Sequence, residues 1–339
     1  MLTNGDRGTP RRVLVIGAQG FLGSFIAATF TRSGWHVTRG GRRAERAADF
    51  RLIDVDRPET VREACRDVDL VVSTVRSTGL GAERAVLEHG PTLFNLDDLP
   101  SPGRARLRTA VAAPRGLVID RTGLYGVVMM ALGELLARHP DADTVEYGFL
   151  ASPAEHAGRA GAVLMHRMLT GPGRRRTSTV DLPAPFGRCR TFEAGPEAAG
   201  LLADVVGGRA ARAYVSFRPA AVNAAILALN ALGVASRVPA SVFALGAGRT
   251  PGQPSRQPTA HWVNVRRGPD LLASRVVRGA GDYRMSAATT LILAETFAGS
   301  TRRGTPPSGL FGIDELVTLG EVAPALAAQG ITVEPRGEP

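Results

Sequence analysis

The chain contains no lysine. All 41 of its Lys+Arg residues are arginine, and that absence removes several chemistries at once. A Schiff-base lysine, the phosphate lysine of a Walker-type loop and a Tyr-x-x-x-Lys proton relay are all excluded. Cysteine is scarce: Cys65 and Cys189 are the only two, too few for a disulfide framework and suited to a reducing cytoplasm. The histidines and cysteines are dispersed without paired ligand spacing, so no metal site is expected. Aromatic residues make up 5% of the chain, which is thin for base-stacking platforms. The net charge of +10 is scattered among acids rather than gathered into a block, and nucleic-acid binding is not expected. Long apolar runs are missing too. The most apolar stretch, Ala220 to Ser236, is interrupted by Asn223 and Asn230, is short for a membrane span, and reads as a buried or dimer-interface helix. Met1 to Pro10 is polar and carries no signal-peptide pattern, which predicts a frayed tail.

What the chain has in quantity is glycine, 40 residues of it, and three of these are placed with purpose. Val13-Leu-Val-Ile16 reads as a buried parallel strand. Gly17-Ala18-Gln19-Gly20-Phe21-Leu22-Gly23 then turns directly into an apolar-faced helix. Gly17 permits a tight turn, Gly20 lets the backbone approach a pyrophosphate, and Gly23 lets the helix pack closely on the strand. The phosphates would sit on the N–H groups at the helix start. An ordinary strand–turn–helix rich in glycine is the alternative.

The following residues sharpen the dinucleotide reading. His36-Val37-Thr38 predicts a second strand, ending in Arg39-Gly-Gly-Arg42-Arg43 where an NAD site usually carries an acid. Arginine suits bidentate phosphate binding, so Arg39, Arg42 and Arg43 predict a 2′-phosphate pocket and NADP(H); a solvated basic turn is the alternative. A third strand ends at Asp54, placed beside the adenine, with Asp56 as a helix cap. The fourth ends in Ser73-Thr74-Val75, predicted with Arg76 to Thr78 to border the diphosphate and nicotinamide. A fifth short strand, Thr92-Leu-Phe-Asn95-Leu-Asp97-Asp98, ends in acids, and a sixth runs from Gly116 to Asp120. Strand and helix alternate as a doubly wound parallel sheet requires. Beyond Gly123 the strand-like segments succeed one another with few helices, which predicts a mixed or antiparallel sheet, before helical periodicity returns near Tyr283.

This ordered set resembles the saccharopine dehydrogenase-like (saccharopine reductase-like) NAD(P)-binding family over nearly the whole chain. It comprises the Gly17/Gly20/Gly23 loop, Asp69-Leu-Val-Val-Ser-Thr74, Asn95-Leu-Asp97, Gly123-Leu-Tyr-Gly126, Gly158-Arg159-Ala-Gly161, Gly281-Asp-Tyr283 and the closing Gly330-Ile-Thr-Val333. The resemblance implies an α/β fold in which a Rossmann domain is completed by C-terminal helices, with a middle α+β domain over the nicotinamide. The expected boundaries are a tail over 1–10, the Rossmann domain over 11–123, a middle substrate and dimerisation domain over 124–280, and returning helices over 281–339. Without lysine, the lysine–histidine acid/base pair of true saccharopine dehydrogenases cannot be carried over.

Hydride chemistry also needs a proton source. Tyr125, His156 and Tyr283 are the candidates, ahead of His166 and Asp120, and Arg121 or Arg159 would orient an anionic substrate group. Cys65 falls in a predicted amphipathic helix; Cys189 lies between Arg188 and Arg190, a local charge that would lower a thiol pKa, but a plain surface or packed thiol is the preferred reading. The expectation is a cytoplasmic, homodimeric NADPH-dependent oxidoreductase acting on a C=N, C=O or activated C=C bond of a small to medium molecule, with a role in specialised metabolism compatible with it. A non-catalytic NADP(H)-binding redox sensor is the alternative.

Overall fold

A computed structural model describes residues 11–96, 99, 101–151, 166, 176–195, 202, 205–218, 220–234, 237–239, 257–301 and 307–336. Its elements begin with β1 (Arg12–Ile16), α1 (Phe21–Arg32), β2 (His36–Gly41), β3 (Phe50–Leu52), α2 (Pro58–Ala64), β4 (Leu70–Ser73), α3 (Gly81–His89), β5 (Thr92–Asn95), α4 (Ser101–Ala110) and β6 (Leu117–Asp120). They continue through α5 (Leu124–Arg138), β7 (Thr144–Ala151), β8 (Thr177–Leu182), β9 (Gly187–Glu193), β10 (Ala210–Phe217), α6 (Ala220–Ala231), β11 (Pro258–Arg267) and β12 (Asp270–Ala280). The last are α7 (Asp282–Thr301), β13 (Gly309–Gly312), α8 (Leu319–Ala328) and β14 (Thr332–Pro335).

The chain divides into two units. The first contains residues up to Gly123 together with Ala287–Leu316; the second contains Leu124–Ser286 and Val317–Pro339. The chain therefore passes between them after Gly123, within α7 after Ser286, and after Leu316.

In the first unit, β1 lies between β2 and β4 and is parallel to both. A strand flanked on both sides and covered on both faces has no use for polar side chains, and Val13 to Ile16 are at most 1% exposed. The full order is β13-β6-β5-β4-β1-β2-β3, all parallel. The strand order reverses between β1 and β4, and open sheets of this kind bind their ligands beyond the carboxyl ends at such a switch point. Phe25, Ile26, Ala27 and Phe30 of α1 are buried at helical spacing, and Leu14, Ile16, Val71, Leu93 and Val118 share one apolar cluster. Each of the Val, Leu, Ile and Phe side chains among these contributes on the order of 1.5–3 kcal/mol by burial.

The second unit is built on a mixed sheet of order β14-β12-β11-β7-β10-β9-β8. Only β7 and β10 pair in parallel; the other pairings are antiparallel. Alternation along β7 puts Val145, Tyr147 and Phe149 on one face and Glu146, Gly148 and Leu150 on the other. Register places Val263 opposite Tyr147, His261 opposite Phe149 and Trp262 opposite Gly148. Gly148 has to be glycine, because a Cβ there would overlap the Trp262 indole. Leu150, Tyr214, Trp262 and Val276 form the core on that side. At the sheet's other end β14 pairs with β12 over Arg275–Arg278, fastened by Arg278 to both oxygens of Glu334 at 3.1 and 2.6 Å.

The fold is thus the doubly wound parallel sheet with a second, mixed-sheet part. The C-terminal segment carries the expected helices, α7 and α8, and in addition contributes β13 to the first sheet and β14 to the second. Two other elements escaped the sequence reading for physical reasons. Helix α4 buries only Gly103, Arg104 and Leu107, too few for an apolar period. Strand β9 carries exposed Arg188 and Arg190 in alternation with buried Cys189 and Thr191.

Candidate active site

The glycine loop occupies the turn from β1 into α1. Gly17 adopts φ +84°, and a Cβ there would overlap the Thr74 hydroxyl oxygen. Its N–H and that of Ala18 donate to the Gly40 carbonyl at 2.9 and 3.2 Å, tying the loop to the end of β2. A Cβ on Gly20 would meet only the Gly17 carbonyl, at 3.1 Å, so space is open where a phosphate would approach. At Gly23 a Cβ would overlap the Gly17 carbonyl itself; helix and strand touch backbone to backbone. Gly20 is the N-cap of α1 and supplies no side chain to its first N–H groups. A bare helix start over a cradle that side chains would fill suits a dinucleotide pyrophosphate.

Ser73, Thr74 and Val75 lie against this turn from the end of β4. The Thr74 hydroxyl donates to the Ile16 carbonyl at 3.0 Å and Ser73 to the Val75 carbonyl at 3.1 Å. Their hydroxyls therefore shape the loop through protein acceptors. Asp54 pairs loosely with Arg57 at 3.8 Å. Asp56 does not cap α2, whose N-cap is Arg57. Its Oδ1 accepts instead from the hydroxyls of Ser77 and Thr78 and from the Gly79 N–H at 3.4, 3.2 and 3.1 Å, and those donors lower its carboxyl pKa.

Strand β2 runs on through Gly41 instead of ending at Thr38. Gly40 faces the core, where a Cβ would press on Ile53, and Gly41 leaves room for the Gln19 side chain. Arg39 consequently lies inside the strand, on the face it shares with Gly41, while Arg42 and Arg43 follow it as exposed residues. Arg39 pairs with Glu45 at 2.9 Å. Gln19 donates to the other Glu45 oxygen at 2.9 Å and to the Arg43 carbonyl at 2.8 Å. Glu45 was invisible to the sequence reading because it follows the strand end by four residues.

Beyond β5 and β6 the first unit buries a polar chain. The Asn95 amide donates to Glu83 and to Asp120, each at 3.3 Å, and Arg104 donates to Asp120 at 3.0 Å. Asp120 is fully buried, and α4, through Arg104, supplies a partner for it. Arg121 sits at φ +60°, a strained conformation for a side-chain-bearing residue. Its guanidinium is 3% exposed and pairs with Asp314 at 2.6 Å; a Cβ on Gly312 would overlap it. The arginine expected to orient substrate is therefore engaged by a carboxylate of the chain itself.

In the second unit, three residues that the sequence reading did not select form a hydrogen-bonded chain. The Tyr147 hydroxyl lies 2.9 Å from His261 Nδ1, and His261 Nε2 lies 3.1 Å from Asp282 Oδ1. Thr259 also donates to Asp282, at 2.8 Å. A carboxylate only accepts, so a neutral His261 carries its proton on Nε2 and accepts from Tyr147 at Nδ1. Burial and the Asp282 charge push the Tyr147 hydroxyl pKa up. Tyr125, half-buried at the start of α5, packs edge-on against Tyr147 with ring centroids 5.7 Å apart. Of the other expected donors, Tyr283 stands partly buried at the start of α7. His166 Nε2 donates to the Val238 carbonyl at 2.8 Å. His156 and Arg159 lie outside the described residues.

Neither thiol is activated. Burial drives the Cys65 pKa up to about 12. Cys189 is a packed thiol: burial raises its pKa and outweighs Arg218, while Arg188 and Arg190 alternate away along β9.

Residues 13–86 match the family model described as NAD dependent epimerase/dehydratase family, a span from β1 into α3. No curated protein matches the chain. Among solved structures, dihydrodipicolinate reductase from Paenisporosarcina sp. matches at 10% identity over 91% of this chain and 100% of its own, with a TM-score of 0.45. A meso-dapdh variant from Clostridium tetani matches at 11% identity over 92% and 96%, with a TM-score of 0.47. Vestitone reductase from alfalfa matches at 22% identity over 25% of this chain, with a TM-score of 0.22; the chain spans about a third of its length, 35%. A resemblance to saccharopine dehydrogenases in particular is not among these matches. Among the described residues, no helix is long and apolar enough to cross a membrane.

Proposed function

We propose that the protein is an NADPH-dependent oxidoreductase that reduces a C=N, C=O or activated C=C bond of a small to medium substrate, saccharopine dehydrogenase-like in organisation but without that enzyme's lysine chemistry. One observation carries the reading: a glycine cradle at the reversal of strand order in an open parallel sheet, where dinucleotides bind. Gly17 to Gly23 would hold the pyrophosphate at the start of α1. Arg39, Arg42 and Arg43 favour the 2′-phosphate form, with Asp54 toward the adenine and Ser73 to Val75 behind the loop.

The nicotinamide, when bound, supplies the hydride; the chain must bind it, exclude water and provide a proton. Tyr125, His156 and Tyr283 are the proposed proton donors. Tyr125 is favoured among them because its ring rests on Tyr147, the inner end of the chain leading to Asp282. Arg159 would orient an anionic substrate group. Arg121 does so only if a substrate carboxylate replaces Asp314. The proposal includes a homodimer using α6, whose alanines are largely exposed, as is neighbouring Leu232 at 75%, and a cytoplasmic role in specialised metabolism.

Incubation of the purified protein with NADPH and a panel of ketones, imines and enones tests the reading. Stoichiometric NADPH consumption with one class supports it. Tight NADPH binding with no consumption across the panel would replace it with a cofactor-binding redox sensor.

A further inference from the structure

The contacts around the end of β2 carry an inference about cofactor choice that rests on the dinucleotide reading above. Each oxygen of the Glu45 carboxylate is engaged: one by Arg39 Nη1 at 2.9 Å, the other by Gln19 Nε2 at 2.9 Å. Gln19 belongs to the glycine loop, and its side chain lies over Gly41 because that residue has no Cβ. Arg39 and Gly41 share a strand face, so arginine, amide and carboxylate converge on one spot at the carboxyl end of β2. In a doubly wound sheet, that end faces the 2′ position of the adenine ribose.

We propose that Glu45 is a specificity-determining residue that competes with a 2′-phosphate for Arg39. With Glu45 on Arg39, the carboxylate keeps acceptor capacity for the hydroxyls of an unphosphorylated ribose. A 2′-phosphate is an anion at the same place, so its binding to Arg39 must displace Glu45 and then bear its repulsion. The pair is about one-third exposed on each side, 34% and 29%, and exposed ion pairs open at little cost. The protein therefore accepts both nucleotide classes, and Glu45 narrows its preference for the phosphorylated one.

The test is calorimetric or fluorescence titration of the full chain with NADPH and with NADH, without substrate, for the unmodified protein, Glu45→Gln, Glu45→Ala and Arg39→Gln. Both Glu45 substitutions should raise the NADPH-to-NADH affinity ratio about tenfold, near 1.4 kcal/mol, whereas Arg39→Gln should lower it. A ratio within about twofold of the parent in both Glu45 variants, with unchanged melting temperature, overturns the inference while leaving the cofactor reading intact. Failure of the unmodified protein to bind either nucleotide overturns the cofactor reading, and this inference with it.

Discussion

The glycine loop and the Tyr147–His261–Asp282 chain are built in opposite ways. The loop is made of backbone, and its residues are fixed by what must be missing: side chains at Gly17 and Gly23 would overlap neighbouring atoms. The second-unit chain is made of side chains, and its residues are fixed by what must be present on three separate elements, within β7 and β11 and at the start of α7. A backbone site resists substitution wherever chain lies against chain, here at Gly17 and Gly23 within one short stretch. A side-chain site tolerates change around it and fails at single atoms.

Substitutions that strike each kind of construction test the contrast. The largest effect is expected from Gly23→Ala, which forces α1 away from the Gly17 carbonyl. Overpacking of this kind costs about 2–3 kcal/mol, readable by urea denaturation, and NADPH affinity should fall by about 100-fold. Affinity within tenfold of the parent would show that the cradle is not made by close backbone contact. Asp282→Asn should cost about 2 kcal/mol by weakening the charge-assisted bond to His261, and Tyr147→Phe about 1 kcal/mol. If the three residues act as one chain, the double variant departs from additivity by at least about 0.5 kcal/mol; strictly additive losses would dissolve it into separate contacts.

Two smaller effects depend on pH. Cys65 keeps its proton to about pH 12 in the folded chain against an ordinary value of 9.0. The unfolded chain releases that proton first, so this contribution is full below pH 9 and declines as pH rises, by about 1.4 kcal/mol per unit. Native Cys65 should stay unlabelled by thiol reagents at pH 8 and become reactive on unfolding. Asp56 has the opposite sign: its carboxyl titrates below the ordinary 3.8, so its stabilisation is present above that value and lost as pH falls through the lower one. Asp56→Asn should cost under about 1 kcal/mol at pH 7, given the solvent exposure of the group, and the difference from the parent should shrink in acid denaturation.

Legibility in the sequence follows the same division. Most of the first sheet was readable because each strand is a short apolar run ending where glycine, hydroxyls or an acid begins. The glycine loop was readable because steric exclusion leaves its mark within seven residues. Tyr147 and His261 are 114 residues apart, and neither lies in a run that marks it. Only register across β7 and β11 brings them together, and register is a tertiary property. The arginines after Thr38 were visible but their contacts were not. Gly40 and Gly41 extended β2 by serving packing needs, which moved Arg39 off the strand end and into reach of Glu45.

The short strand β14 governs more than its four residues suggest. Strand β12 is 11 residues long, and on one flank its neighbour is β14, paired over Arg275–Arg278. A long strand with open N–H and C=O groups is a template for sheet-to-sheet self-association. The two contacts between Arg278 and Glu334 hold the short strand in place over that edge, so they act as a guard on solubility. Glu334→Gln would leave the glycine loop and the Tyr147–His261–Asp282 chain untouched, yet raise the propensity of the folded protein to aggregate on mild warming.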